Sequence, residues 1–225
     1  MIKYSLIRSR RKTIAIHITK NADVEVRAPL KMSKAEIERF VISKQDWINK
    51  YLSAAERRME DRAAFSLNYG EKVSLQGNSY PIIAKEGDRV GFDGEQFYIP
   101  PDLSSDEVKG AVIQIYRLVA KQVLTKKAQD YANLTGLVPA AVKINSAKTR
   151  WGSCSGKKSI NFSWRLIMAD EDVIDYVVVH ELAHIREPNH SARFWGVVAS
   201  VLPDYKERQE RLKSLQKRLA SEDWF

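Results

Sequence analysis

The stretch VVVHELAHIREPNH, residues 177–190, concentrates side chains that can bind a metal ion and move a proton. The chain has four histidines in 225 residues, and only His17 lies outside this stretch. His180 and His184 are four residues apart, so on a helix they project from one face with Cβ atoms about 5–6 Å apart. Two imidazoles at that separation can bind one ion at about 2.0–2.1 Å.

Glu181 is placed for proton transfer. It lies about 100° around the helix from His180, so it borders the metal side without joining the ligand row. From that position its carboxylate can reach a metal-bound water. The pattern H-E-x-x-H is typical of two zinc ligands with the glutamate as general base.

His190 is the candidate third ligand. Pro188 ends the helix shortly after His184, and Asn189 tolerates a turn, so the chain can fold back. Three protein ligands with an open position typify a catalytic zinc site, whereas a structural site uses four ligands, usually including thiolates. Cys154 is the only thiol in the sequence. We therefore predict one catalytic zinc ion per chain.

Residues 102–225 must position this motif. SSDE, residues 104–107, predicts a helix start, and Gly136 predicts its end. VKINSA (142–147) and SINFSW (159–164) read as two strands around the loop TRWGSCSGKK. Acidic residues 170–172 suit the start of the motif helix. Ser191 and the charged C-terminal segment predict two trailing helices.

Residues 1–101 precede a boundary that we place at the Pro100-Pro101 pair. TIAIHIT (13–19) and VEVRA (24–28) alternate around a turn and predict a hairpin, with His17 on its polar face. Ser33 and Glu36 form a capping box for a helix of about 25 residues. Short apolar runs between glycines, residues 69–101, predict a small meander of strands.

The net charge of +9 is unevenly distributed, since residues 1–62 alone carry +7. Such a field attracts polyanions in a salt-dependent way, and RSRRK (8–12) is its densest cluster. A solvated basic surface explains the same charge, so the sequence leaves nucleic acid open as a partner. A single cysteine excludes an internal disulfide. The absence of a secretory h-region or a long apolar run favours the cytoplasm and no membrane association.

The motifs together resemble a known family. "TRWGSCS" (149–155), "IDYVVVHELAHI" (174–185), "NHSARFW" (189–195) and "PDY" (203–205) are similar to those of the YgjP-like metallopeptidases, relatives of the SprT-like and WSS1-like zinc proteases. "RRKTIAIHI...VRAP...W" (10–47) also resembles that family. The resemblance implies an α+β fold with a zincin-like core. It also implies zinc binding by His180, His184 and His190 and general-base chemistry by Glu181. The link "NFSWRLIMADEDV" departs from it by lacking a proline before the helix.

The sequence predicts hydrolysis of peptide bonds in a peptide or protein substrate by a zinc-activated water. Arg150 and Trp151 are candidate substrate-binding residues, and either can equally be structural. SINFSW is our candidate for an exposed strand edge that binds a peptide. Two alternatives stay open: a protease or binding module recruited to nucleic acid, and a zinc-binding protein without proteolytic activity. The substrate and the oligomeric state are not encoded in any motif.

Overall fold

Residues 2–224 are described by the computed structural model, and within them the fold mixes α-helices with three small sheets. The helices are α1 (Lys34–Ser43), α2 (Gln45–Ala64), α3 (Ser105–Thr135), α4 (Glu171–Ala183), α5 (Ala192–Val201) and α6 (Tyr205–Leu219). The strands are β1 (Ser5–Ser9), β2 (Ala15–Ile18), β3 (Val24–Pro29), β4 (Lys72–Leu75), β5 (Asn78–Ala84), β6 (Gly91–Phe92), β7 (Phe97–Ile99), β8 (Ala141–Asn145), β9 (Gly152–Cys154) and β10 (Ser159–Ser163).

The chain forms two compact units. The first contains residues 2–65 with 219–223, and the second contains residues 66–218 with Trp224. The division predicted at residues 101 and 102 falls inside the second unit. The strands before that point bond to elements after it, because the Tyr116 hydroxyl donates to the Ser74 carbonyl at 2.7 Å and the Gln76 amide donates to the Ile167 carbonyl at 2.8 Å.

The first unit is a three-stranded sheet packed against two helices. Its strand order is β1-β3-β2, and the antiparallel β2–β3 pair is the predicted hairpin. The helix expected after Ser33 is present with its capping box, but it is divided into α1 and α2 at Lys44, whose φ of −112° and ψ of 12° are not helical. The buried core of this unit consists of Val24, Val26, Ala28, Ile37, Val41 and Ile48.

The second unit begins with the short strands predicted between the glycines and with the long helix α3. The strand order is β4-β5-β7-β6 and β5 pairs with β7 in parallel, so the sheet is not the meander that the sequence predicted. Helix α3 begins with a capping box between Ser104 and Glu107 and ends at Gly136, which takes the left-handed conformation at φ 71°. Both ends of this helix were therefore marked in the sequence by ordinary capping chemistry.

The sheet beside the motif helix corrects the sequence-based prediction. Its order is β8-β10-β9, so the stretch SINFS is its central strand and not an edge. The edge strands are β8 and β9, and β9 lies inside the segment predicted to be a loop. GSC is three residues long and does not alternate, so only its pairing with β10 makes it a strand.

A 3₁₀ helix, Trp164–Met168, joins this sheet to α4 and replaces the proline expected before the motif helix. Residues 163–169 are all buried. This link anchors the start of α4, and α5 and α6 follow as predicted. Among residues 2–224, none of the helices combines the length and the apolar composition that a membrane span requires.

Candidate active site

Helix α4 presents the first two histidines from a rigid support. Nine of its 13 residues are buried, which agrees with the apolar run VVV before the motif. His180 lies in the last turn, and His184 is the C-cap residue with helical φ of −63° and ψ of −17°. The helix therefore ends at the second histidine, earlier than Pro188, yet the four-residue spacing still places both rings on one side.

His190 is returned to the helix by a short turn. The amide of Glu187 donates to the Ala183 carbonyl at 3.0 Å, which closes the turn that leaves α4. Ser191 then caps α5, because its hydroxyl accepts the amide of Phe194. His190 lies between these two fixed points, which is why its ring faces the end of α4.

The three histidines form a compact cluster. Their candidate ligand atoms all lie within 4.8 Å of one another, and the Nε2 atoms of His180 and His190 are 3.1 Å apart. Two nitrogens bound to one tetrahedral ion at about 2.0–2.1 Å are about 3.4 Å from each other. The donor set therefore fits a single metal ion. A second group of this kind is not present among residues 2–224.

Aromatic rings support the cluster from α5. The Phe194 ring is buried and lies 4.5–4.9 Å, between centroids, from each of the three imidazoles. Trp195 stacks on His190 at 5.7 Å and on Tyr205 at 5.1 Å. Such packing restricts the orientations of the three imidazole rings.

Contacts to Nδ1 orient two of the imidazoles, and for His184 the contact also sets the tautomer. His184 Nδ1 lies 3.1 Å from the Glu187 carbonyl, which can only accept, so Nδ1 carries the proton and Nε2 is left for the metal. The Tyr176 hydroxyl lies 3.5 Å from His180 Nδ1. Contacts of this kind orient metal ligands in proteins and raise their basicity.

Burial favours the neutral form of His180 and His184. Desolvation, followed by the neighbouring His184 and His190, lowers the pKa of His180 to about 3. Desolvation also lowers the pKa of His184. A neutral imidazole is the form that binds a metal. Two of the three candidate ligands thus favour the metal-binding form at neutral pH.

Glu181 is buried beside the cluster, with 6% of its surface exposed. Its Oε2 atom has no hydrogen-bond partner among the described residues. Desolvation raises the pKa of this carboxyl to about 7, while the Arg150 guanidinium acts in the opposite direction. A carboxyl with a pKa near the working pH can both accept and return a proton.

Strand β9 approaches Glu181 more closely than a side chain on the strand would allow. A Cβ built on Gly152 would lie 2.6 Å from both Cγ and Oε1 of Glu181. Glycine is required here by this close approach. The sequence did not indicate the contact, because the two residues are 29 positions apart.

A cleft of about 520 Å³ opens over these groups. One side is strand β9 with the loop after it, and the other is the end of α4 with its turn. Cys154 lies half-buried on the strand side. The cleft is lined by Gly152, Ser153, Cys154, Ser155, Gly156, Lys158, His180, Glu181, His184, Ile185, Pro188 and His190.

The two candidate substrate-binding residues immediately precede β9. Arg150 is exposed and near enough to Glu181 to affect its carboxyl electrostatically. Trp151 is half-buried, and its carbonyl accepts the amide of Ser163 at 2.8 Å. Neither residue lines the cleft itself. Their role in binding a substrate stays a prediction.

Comparison with known proteins identifies the class as metallopeptidase. The model of the YgjP-like metallopeptidase domain matches residues 12–215, and the chain therefore belongs to the YgjP-like family. The metallopeptidase zymogen of Pyrococcus abyssi abylysin is similar in structure, with 25% identity and a TM-score of 0.38. That similarity covers 40% of this chain and 92% of the other. No curated protein sequence matches the chain.

Proposed function

We propose that the protein is a zinc-dependent peptidase with its catalytic centre in a zincin-like core within residues 102–225. The observation that carries the proposal is the buried Glu181 carboxyl, whose Oε2 is unpartnered beside three converging histidines. A buried polar atom without a partner is costly. A water molecule placed for attack on a carbonyl supplies that partner and gives the carboxyl a proton to accept.

Zinc is the metal that the donor set favours. Three imidazole nitrogens suit zinc among several transition metals, and three protein ligands leave a position open for chemistry. A zinc ion bound by His180, His184 and His190 would supply a water of lowered pKa and polarise the substrate carbonyl. Family membership supports a metal ion in general, and the histidine cluster supports this location.

Glu181 is the proposed general base and acid. Its Oε2 accepts the proton of the attacking water, and burial keeps the carboxyl pKa near neutrality. The same carboxyl then delivers the proton to the leaving amine. Gly152 is proposed to help position the carboxyl, because its lack of a side chain leaves the space that Oε1 occupies. Arg150, which interacts with Glu181 electrostatically, is proposed to bind the substrate at this end of the cleft with Trp151.

The free edge of β9 is the proposed binding site for the peptide backbone. Ser155 and Trp151 bond to β10 through their backbones, so the ladder alternation turns the amides and carbonyls of Gly152 and Cys154 away from it. These groups border the cleft and can pair with an extended chain. We therefore expect unfolded segments to be cleaved and folded proteins to resist.

The experiment is cleavage of a peptide library by zinc-loaded protein, read by mass spectrometry and repeated with Glu181→Gln. We expect wild-type cleavage at defined sites, and no cleavage by Glu181→Gln at equal zinc content. A protein that only stores or carries zinc would give no difference between the two. Equal cleavage by both proteins would exclude Glu181 as the base.

A further inference from the structure

Two of the four cations in the densest basic cluster, RSRRK, are engaged in the fold, while Arg10 and Lys12 are exposed. Arg8 Nη1 donates to the carbonyls of Pro29, Leu30 and Met32 at 2.7–3.1 Å, so this guanidinium holds the chain before α1. Arg11 is partly buried, with its Nε inaccessible to solvent. The positive charge of this unit is available elsewhere, along one side of α2.

A groove of about 420 Å³ runs between strand β2 and helix α2 in the first unit. One wall is the outer edge of β2 and the turn after it, since five consecutive residues, 16–20, line the groove. The other wall is a stripe on α2 with helical spacing. The lining residues are Ile16, His17, Ile18, Thr19, Lys20, Trp47, Tyr51, Ala55, Arg58 and Arg62.

Two aromatic side chains on the α2 wall are exposed although they are large. Trp47 and Tyr51 are 41% and 44% accessible, and their ring centroids are 4.5 Å apart. Their four-residue spacing is typical of residues that face a hydrophobic core, so the sequence alone predicts that Tyr51 is buried. Exposed aromatic side chains of this kind are suited to stacking with a flat ligand.

The charge of the groove is of one sign. Lys20, Arg58 and Arg62 line it, and no carboxylate does so among the described residues. The nearest acidic residue on the paired strand, Glu25, faces His17 across the ladder and is ion-paired with Arg27 at 2.5 Å.

Hydrogen bonds hold the two arginines in position. Arg58 and Arg62 each donate Nε to a backbone carbonyl, at 2.8 and 2.7 Å, and neither pairs with a carboxylate within residues 2–224. The guanidinium groups are thereby fixed while their terminal nitrogens can serve a ligand.

We propose that this groove binds single-stranded nucleic acid. Its cations would contact successive phosphates, and Trp47 with Tyr51 would stack on bases. Aromatic platforms beside a basic track are how proteins bind single strands without reading sequence. A duplex fits less well, because its bases are already stacked on each other. An acidic peptide would pair with the cations but would give no role to the exposed rings of Trp47 and Tyr51.

The test is fluorescence anisotropy of the zinc-loaded full chain with a labelled oligothymidylate of about 15 nucleotides, within the range of single-strand site sizes. Trp47→Leu with Tyr51→Leu should weaken binding by about 5- to 150-fold, the loss expected for one stacked base. Quenching of tryptophan fluorescence by the oligonucleotide should disappear in Trp47→Phe, while affinity is largely kept. Circular dichroism checks that each variant is folded.

Two charge variants distinguish binding in the groove from general electrostatic attraction of the oligonucleotide to the protein. One double variant is Lys20→Gln with Arg58→Gln, and the other is Arg10→Gln with Lys12→Gln. Each removes two positive charges, but only Lys20 and Arg58 line the groove. The first should lower the salt slope by about 1.4, at about 0.7 per lost phosphate contact with a single strand. Equal weakening by both pairs would overturn the proposal.

Two further outcomes would contradict it: a duplex that binds as tightly as the single strand, or oligoglutamate that binds more tightly than either. Zinc content and peptide cleavage are read on the same samples. None of the substituted residues belongs to the histidine cluster, so loss of oligonucleotide binding and failure of the peptidase proposal are distinguishable.

Discussion

Gly152 and Glu181 are in direct contact, and a Cβ on Gly152 would lie 2.6 Å from Oε1 of the Glu181 carboxyl. The edge strand therefore positions the proposed base, although neither residue is near the other in sequence. This contact joins the strand proposed to bind the peptide backbone to the group proposed to activate water. A substitution at Gly152 should therefore alter the function of Glu181.

Gly152→Ala should lower peptidase activity without removing the metal. The added methyl must displace the Glu181 carboxyl, and a displacement of about 1 Å can cost up to about 100-fold in rate. Activity and zinc content are measured on the same preparation. Gly156→Ala is the matched control, because a Cβ there meets nothing within 4 Å. Equal activity in both variants would show that Gly152 does not position the base.

Histidine substitutions should identify the ligands by metal content. The wild type should carry about one zinc ion per chain, the number expected of a catalytic site, and His184→Ala or His190→Ala should lose most of it. His17→Ala is the control, because His17 lies in the other unit. If His190→Ala kept its zinc, the third ligand would be elsewhere. Glu187 is the next residue to test, although its carbonyl already serves His184.

The metal-free protein should show a pH-dependent effect of Glu181→Gln on stability. The carboxyl pKa is raised from 4.5 to about 7 by desolvation, so the native state resists ionisation that the unfolded state accepts. The resulting destabilisation is absent below pH 4.5, grows as the pH rises to about 7, and is constant above. At about 1.4 kcal/mol per pKa unit, it reaches about 3 kcal/mol.

Urea unfolding with EDTA at pH 4.5 and pH 8 measures this difference. Glu181→Gln should match the wild type at the lower pH and exceed it in free energy of unfolding at the higher one. A difference that does not change with pH would mean that the carboxyl is not desolvated as the structure indicates.

Alkylation of Cys154 should block the cleft. This is the chain's only cysteine and it lines the cleft, so iodoacetamide places its adduct there alone. Desolvation, with Glu181 as the second cause, raises the pKa of this thiol, so labelling should accelerate at alkaline pH. After iodoacetamide treatment, the peptidase activity of the wild type should fall, whereas that of Cys154→Ser should not change. Full activity of the labelled wild type would place substrate binding elsewhere.

The local parts of the site could be predicted from the sequence. His180 and His184 share a face because helix geometry fixes residues four apart, and the caps at Ser33, Ser104 and Ser191 are local as well. Such features depend on neighbours within a few residues. The family resemblance seen in the motifs is confirmed by the match over residues 12–215.

The remaining features depend on distant partners. Strand β9 is a strand only because β10 pairs with it, so SINFS was wrongly placed at the edge. Arg8 bonds to carbonyls more than 20 residues away, which the cluster RSRRK does not reveal. Tyr51 has the spacing of a core residue, yet it is 44% exposed and lines the groove beside β2.

The most direct measurement is a zinc titration of metal-free wild type and Glu181→Gln, followed by peptide cleavage at each point. We predict that both proteins bind about one equivalent, as the three-histidine site requires. Cleavage should rise with zinc in the wild type, reach its plateau at that equivalent, and stay at background in Glu181→Gln. Cleavage that is independent of zinc, or that persists in Glu181→Gln, would contradict the assignment of the histidine cluster and Glu181 as the catalytic centre.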